Sequence, residues 1–157
     1  AVRTGCRRLI PVSPATEVRM PELVRLSFSI EKPLFDELEK LVRKAGYTNR
    51  SEFVRDMIRD RLVQREWEGH REVLGTITLI YDHHARRLSE KLIDVQHDHH
   101  REVLVTTHVH LSHDLCAEVI LVRARASHVR KLADTLAGQK GVYHAELSTS
   151  STGRSLY

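Results

Sequence analysis

The sequence predicts an α+β chain in two parts: a strand-helix-helix (βαα) segment over residues 23–68, then a βαββαβ domain over 73–149. Three observations carry this. Apolar residues alternate over Val24–Ile30 and then recur twice at helical spacing. From Val73 onward the two periodicities interleave, as expected of a split βαβ sheet with helices on one face. A cluster of His and Cys lies on a segment whose alternation and turn spell a β-hairpin.

In the first part, Val24, Leu26, Phe28 and Ile30 alternate with Arg25, Ser27 and Ser29, one short strand. Pro33 stands where a first helical turn tolerates proline; Leu34, Leu38, Leu41, Val42 and Ala45 follow at helical spacing, and Gly46 ends the helix. Asn49 as N-cap with Glu52 three residues on resembles a capping box, and Val54, Met57, Ile58 and Leu62 form the stripe of a second helix. A lone strand has no partner in its own segment for its backbone N–H and C=O groups. Two chains solve this by pairing strands into an antiparallel ribbon and packing their helices together as an intertwined dimer. The ribbon then displays Arg25, Ser27 and Ser29 twice about a two-fold axis, a shape and chemistry that fit the major groove of double-stranded DNA.

After a connector near Glu66–Glu72, a strand is expected over Val73–Tyr81, a helix over His84–Val95, a hairpin over 103–124, a helix capped by Ser127, and a strand over Val142–Leu147. Within the hairpin, Val103, Val105, Val109 and Leu111 share one face, and Thr106, His108 and His110 the other. Past the Ser112–Asp114 turn, Ala117, Val119 and Leu121 oppose Cys116, Glu118 and Ile120. A turn of that length sets His110 across from Cys116 and His108 across from Glu118.

Charge and composition narrow the partners. The chain has 25 Lys+Arg against 21 Asp+Glu, but residues 23–70 are nearly neutral, so nucleic-acid binding must rest on particular residues. Residues 1–22, with Pro11, Pro14, Pro21 and four arginines, are expected to be a disordered basic arm, with Met20 the expected biological start; 150–157 is expected to be a flexible C-terminal tail. No run approaches the ~18–20 apolar residues of a membrane span, and the N-terminus lacks the apolar stretch of a signal peptide, which predicts a cytoplasmic address and no membrane partner. Cys6 and Cys116 lie in dissimilar surroundings, which argues against a disulfide framework.

Eight of the eleven histidines fall between His83 and His113. For His84, His99, His100 and His113 scattered surface positions are the simplest account. For His108, His110 and Cys116 strand phase puts two imidazoles and a thiol on one face, a set that binds a transition metal. Three ligands are incomplete, and His97, at the end of the preceding helix, is the candidate for a fourth, from the same chain or a neighbour. Tetrahedral coordination would mean Zn²⁺; planar N/S coordination would mean Ni²⁺ or Cu²⁺. Glu118, across from His108, is expected to orient an imidazole N–H.

These segments, "GYTNRSEFVRDMIRD", "YDHHARRLSEKLIDVQHDHH" and "THVHLSHDLCAEVILV", resemble the NikR family of nickel-responsive transcriptional regulators over about residues 23–149. The resemblance implies a ribbon-helix-helix DNA-binding domain, an ACT-like tetramerisation domain, and one Ni²⁺ per subunit in square-planar geometry. It assigns the ligands to His108, His110 and Cys116 of one subunit and His97 of the neighbour. It gives Tyr81 and His83 accessory roles near the metal, and implies that Arg25, Ser27 and Ser29 read bases. Ala85, before Arg86, stands where some members place a basic residue that helps hold DNA; phosphate contact is assigned to Arg86, Asn49, Arg50 and Ser51. The 22-residue arm has no counterpart in short-armed members.

The function expected is a nickel-responsive repressor, a homotetramer (dimer of dimers) that binds a palindromic operator when loaded. Cu²⁺, Co²⁺ or Zn²⁺ are possible substitutes. A trafficking or storage protein for nickel, copper or zinc would explain the histidines but leaves the polar-faced strand and its helices without a task. An enzyme is not expected, because four strong ligands leave no open coordination position.

Overall fold

The computed structural model describes residues 22–156. The expected basic arm lies outside the described residues but for Glu22, as does Met20. Residues 22–30 form no regular strand, and Leu23, Val24, Leu26 and Phe28 stand exposed. The strand expected there is therefore absent from the single chain. The cause is the one that made it unusual in the sequence: a lone strand has no ladder to join.

Helix α1 (Lys32–Lys44) has Pro33 in its first turn. It ends in a Schellman motif: Gly46, at φ +77°, donates to the Arg43 carbonyl, and Tyr47 N–H reaches the Val42 carbonyl at 3.1 Å. Helix α2 (Arg50–Glu68) starts at Asn49, whose side chain accepts from Glu52 N–H at 2.8 Å. Only half of the expected capping box forms, because the Glu52 carboxylate turns to Arg55 instead. The stripes of both helices remain largely uncovered, with Leu34, Leu41, Met57 and Ile58 exposed.

Strand β1 (Glu72–Asp82) is followed by α3 (Leu88–Asp98), β2 (Val103–His110), β3 (Leu115–Arg125), α4 (Ala126–Ala137) and β4 (Val142–Ser150). The strands form one antiparallel sheet in the order β2-β3-β1-β4, the expected βαββαβ arrangement. Every second residue of β1, from Val73 to Tyr81, is buried, and the register places Val73, Ile77 and Tyr81 beside Ala124, Ile120 and Cys116 of β3. Leu88 and Leu92 of α3 and Val129, Leu132 and Leu136 of α4 join the same core.

Three local expectations are corrected. α3 begins at Leu88, not His84, because the Asp82 carboxylate captures His84 N–H at 2.8 Å and holds 82–84 in an Asx-turn. Ser127 is not a cap: β3 runs directly into α4, and the N-cap is Arg125, without a side-chain bond. A bulge at Leu104 shifts the pairing between Val103 and Val105, so Val103 packs against the core while Val105 faces the opposite way.

The end of α2 is bound to the sheet domain. Trp67 is buried, its indole N–H donates to the Ser150 carbonyl at 2.8 Å, and Arg130 stacks on its ring. Ser155 reaches the buried Glu66 carboxylate. Gly75 makes this docking possible, since a Cβ there would sit 2.9 Å from Val129 Cγ1 and 3.1 Å from Trp67 Cη2. Gly75→Ala is therefore expected to destabilise the fold by about 1–3 kcal/mol. Urea denaturation checks this; an unchanged midpoint would show that Trp67 and α4 do not pack closely over the strand.

Candidate metal centre

The centre is built by strand register. Pairing of β2 with β3 sets His110 opposite Cys116 and His108 opposite Glu118, as expected. On the other side of β3, β1 sets Tyr81 opposite Cys116, and the chain leaving β1 carries His83 over the same thiol. His83 Nδ1 lies 3.2 Å from Cys116 Sγ and His110 Nδ1 3.3 Å from it. One donor atom from each of His83, His108, His110 and Cys116 falls within 4.8 Å of the others. Cys116 is buried, and the three imidazoles lie on its solvent side.

A layer of polar side chains fixes these donors. The Tyr81 hydroxyl sits 3.0 Å from His108 Nδ1 and 3.3 Å from Glu118 Oε2. It has one proton to give. If that proton goes to the carboxylate, His108 Nδ1–H donates to the phenol oxygen, and Nε2 keeps the lone pair a metal requires. Burial, and then the Glu118 charge, push the Tyr81 hydroxyl up to about 12, so it remains a donor at neutral pH. The other Glu118 oxygen accepts from Gln96 Nε2 at 2.7 Å, and Thr106 Oγ1 donates to Gln96 Oε1 at 2.6 Å. Buried Glu118 is thereby satisfied on both oxygens.

The expected residues divide into groups. His108, His110 and Cys116 converge; Glu118 and Tyr81 support them; His83, expected only as an accessory, lies among the donors. His97 does not join them. It occupies the exposed last turn of α3, beside a groove that Gln96 and Thr106 also line. Gln96 and Thr106 were missed as supports, although the alternation that placed Thr106 on the His108 face was a usable signal. Arg25, Ser27 and Ser29 are exposed, as are Asn49, Ser51 and Arg86. Arg50 is engaged: its guanidinium pairs with Glu39 and lies over the Phe35 ring.

The donors fit a borderline-soft divalent ion: a thiol and imidazoles, with no carboxylate among them. Comparison with known proteins bears on which one. Residues 74–150 match the model of the NikR C terminal nickel binding domain, and residues 24–65 that of the ribbon-helix-helix protein, copG family. A protein of Solibacter usitatus is 49% identical over 135 residues, covering 85% of this chain and 97% of its own. Proteins of Geobacter metallireducens and Geobacter sulfurreducens are 48% and 47% identical over 139 residues, each covering 88% of this chain and 100% of their own. All three carry the provisional name of nickel-responsive regulator. The chain belongs to the NikR family. It is thus a ribbon-helix-helix domain followed by a NikR C-terminal domain, in a family of regulators and not of enzymes. No helix among the described residues is long and apolar enough to cross a membrane.

The donor set around Cys116 carries two predictions. Burial, with the Glu118 charge added, raises the Cys116 thiol above its ordinary value, so it is protonated at neutral pH without an ion. Ligation must expel that proton, and affinity should rise about tenfold per pH unit for each proton released. Ni²⁺ titrations at several pH values check this, and a flat profile would mean the thiol is not a ligand. Glu118→Ala should lower metal affinity roughly 10–100-fold by releasing Tyr81, Gln96 and hence His108. Unaltered affinity in competition with a chelator would make Glu118 a bystander.

Proposed function

We propose that this protein is a nickel-dependent repressor: a homotetramer, a dimer of dimers, that binds a palindromic DNA operator when each subunit holds one Ni²⁺. The observation that carries the reading is the donor set around Cys116, in a chain that also holds a ribbon-helix-helix domain. A storage protein would need the donors alone.

The ligands assigned are His108, His110, Cys116 and the partner subunit's His97. Bound Ni²⁺ would tie the hairpin of one subunit to α3 of another. Gln96, next to His97, already links α3 to Glu118 and Tyr81 within its own chain, so the position of that helix and the orientation of His108 depend on each other. His83 favours a second reading of the fourth position, since in one chain it lies within donor range. His97→Ala and His83→Ala separate the two: the assignment expects the larger loss of affinity from His97→Ala. Cu²⁺, Co²⁺ and Zn²⁺ would also bind this set, and selectivity would rest on geometry.

Uncovered apolar surface supports assembly. Val105, Val109, Leu111 and Val119 form an exposed patch on the sheet face away from the helices, a surface for joining C-terminal domains. Val24, Leu26 and Phe28, with Leu34, Leu41, Met57 and Ile58, are what an intertwined ribbon dimer would bury. That ribbon would turn Arg25, Ser27 and Ser29 toward base edges. Asn49, Ser51 and Arg86 would meet phosphates, with Arg50 trading Glu39 for a phosphate. Two ribbon dimers on one core bind two half-sites and gain effective concentration, which the nearly neutral DNA-binding segment needs. A cytoplasmic location fits DNA binding and a free thiol.

Gel-shift titration with Ni²⁺ tests the reading. His108→Ala and Cys116→Ala should abolish nickel-dependent operator binding while the fold persists; a wild-type response from either would overturn it. Arg25→Ala should lose discrimination between operator and random DNA with little change in metal affinity. Equal weakening on both DNAs would make Arg25 a phosphate contact.

A further inference from the structure

The last turn of α3, where His97 sits, has little apolar anchorage. Leu88 and Leu92, the buried residues of α3, both lie in its first half, and Val95 is only partly buried. A helix end without packing frays. Gln96 ties this turn to Glu118 on one side. On the other side the tie is Glu102, in the turn that leads from α3 into β2.

Glu102 bridges three elements. Its Oε2 lies 2.8 Å from Nδ1 of His99, the C-cap of α3, and its Oε1 lies 2.9 Å from Nδ1 of His128, in the first turn of α4. A carboxylate only accepts, so each imidazole carries a proton on Nδ1. Burial opposes the charge, yet the hydrogen bonds from His128 and His99 hold the Glu102 carboxyl below its ordinary value, so it is ionised at neutral pH. Bonds of this charge-assisted kind are the stronger ones. The backbone of Glu102 is fixed as well: its N–H donates to the His99 carbonyl at 2.8 Å, and its carbonyl accepts from Arg123 N–H of β3 at 2.8 Å.

We propose that Glu102 is a positioning residue for the metal centre: through His99 it holds the last turn of α3 against α4 and β3, so that His97 is in place before it meets the ion. The proposal rests on the assignment of His97 as the fourth ligand. Only Asp98 separates His97 from His99, and His99 N–H donates back to the Gln96 carbonyl at 3.1 Å, which closes the turn around His97. Glu102 touches none of the donors around Cys116. Without it, the turn must be ordered at the moment of binding, and that entropy is subtracted from the affinity.

Ni²⁺ titrations of the full chain in competition with a chelator test this. Glu102→Ala should lower affinity about tenfold, the lower end of what loss of an orienting partner costs. His128→Ala should shift it the same way by less, and it carries the same comparison should Glu102→Ala lose its fold. Glu102→Gln should restore wild-type affinity, because an amide accepts from one imidazole and donates to the other in its second tautomer. In a His97→Ala background Glu102→Ala should cost nothing further. Wild-type affinity in Glu102→Ala, no rescue by Glu102→Gln, or the same tenfold loss in both backgrounds would overturn the proposal. If His97→Ala itself binds like wild type, the fourth-ligand assignment fails and takes this role with it. A loss from His97→Ala with none from Glu102→Ala overturns the positioning role alone.

Discussion

The pairing register of β2 and β3 is the constraint on which the rest depends. Side chains alternate along a strand, so a slip of one residue would turn His108 and His110 to the far face and leave Cys116 among apolar neighbours. The turn at Ser112–Asp114 holds that register, with Leu111 N–H bonded to the Leu115 carbonyl. The bulge at Leu104 confines the irregularity to the other end of β2. On the other side of β3, the separate register with β1 sets Tyr81 beside the thiol, and the chain leaving β1 brings His83 there. The hairpin register thus sets His108, His110, Cys116 and Glu118, and the register of β1 on β3 adds Tyr81.

What one chain leaves undone is equally informative. Its segment at 22–30 pairs with no strand, two helices show their stripes, and the outer face of the hairpin exposes Val105, Val109 and Leu111. Polar accounting is strict: among the described residues the one buried side-chain polar atom without a partner is Glu66 Oε2, on α2. Much of the uncovered apolar surface lies on 22–30, the two N-terminal helices and the outer face of the hairpin, with Ile93 and Tyr143 exposed elsewhere.

Much of this was legible in the sequence. Period-two alternation and a short turn sufficed for the pairs His110–Cys116 and His108–Glu118, because both are local and need no knowledge of packing. Gly46 and Asn49 were legible as helix punctuation for the same reason. The start of α3 was not: the stretch from His84 has helical spacing, and only the capture of His84 N–H by Asp82 ends the turn where it does. Leu104 carries no glycine or proline to flag a bulge. The links from Gln96 to Glu118 and from Trp67 to Ser150 join residues brought together by tertiary packing, which periodicity does not encode. His83 entered only through family resemblance, since its approach to Cys116 depends on β1 lying next to β3.

In the proposed centre a thiolate and imidazoles of this hairpin hold nickel. The most direct measurement is the X-ray absorption spectrum of the full chain loaded with one equivalent of Ni²⁺. The expected spectrum shows one sulfur scatterer together with the multiple-scattering pattern of imidazole nitrogens in a planar shell. A shell of nitrogen and oxygen alone, without sulfur, would contradict it.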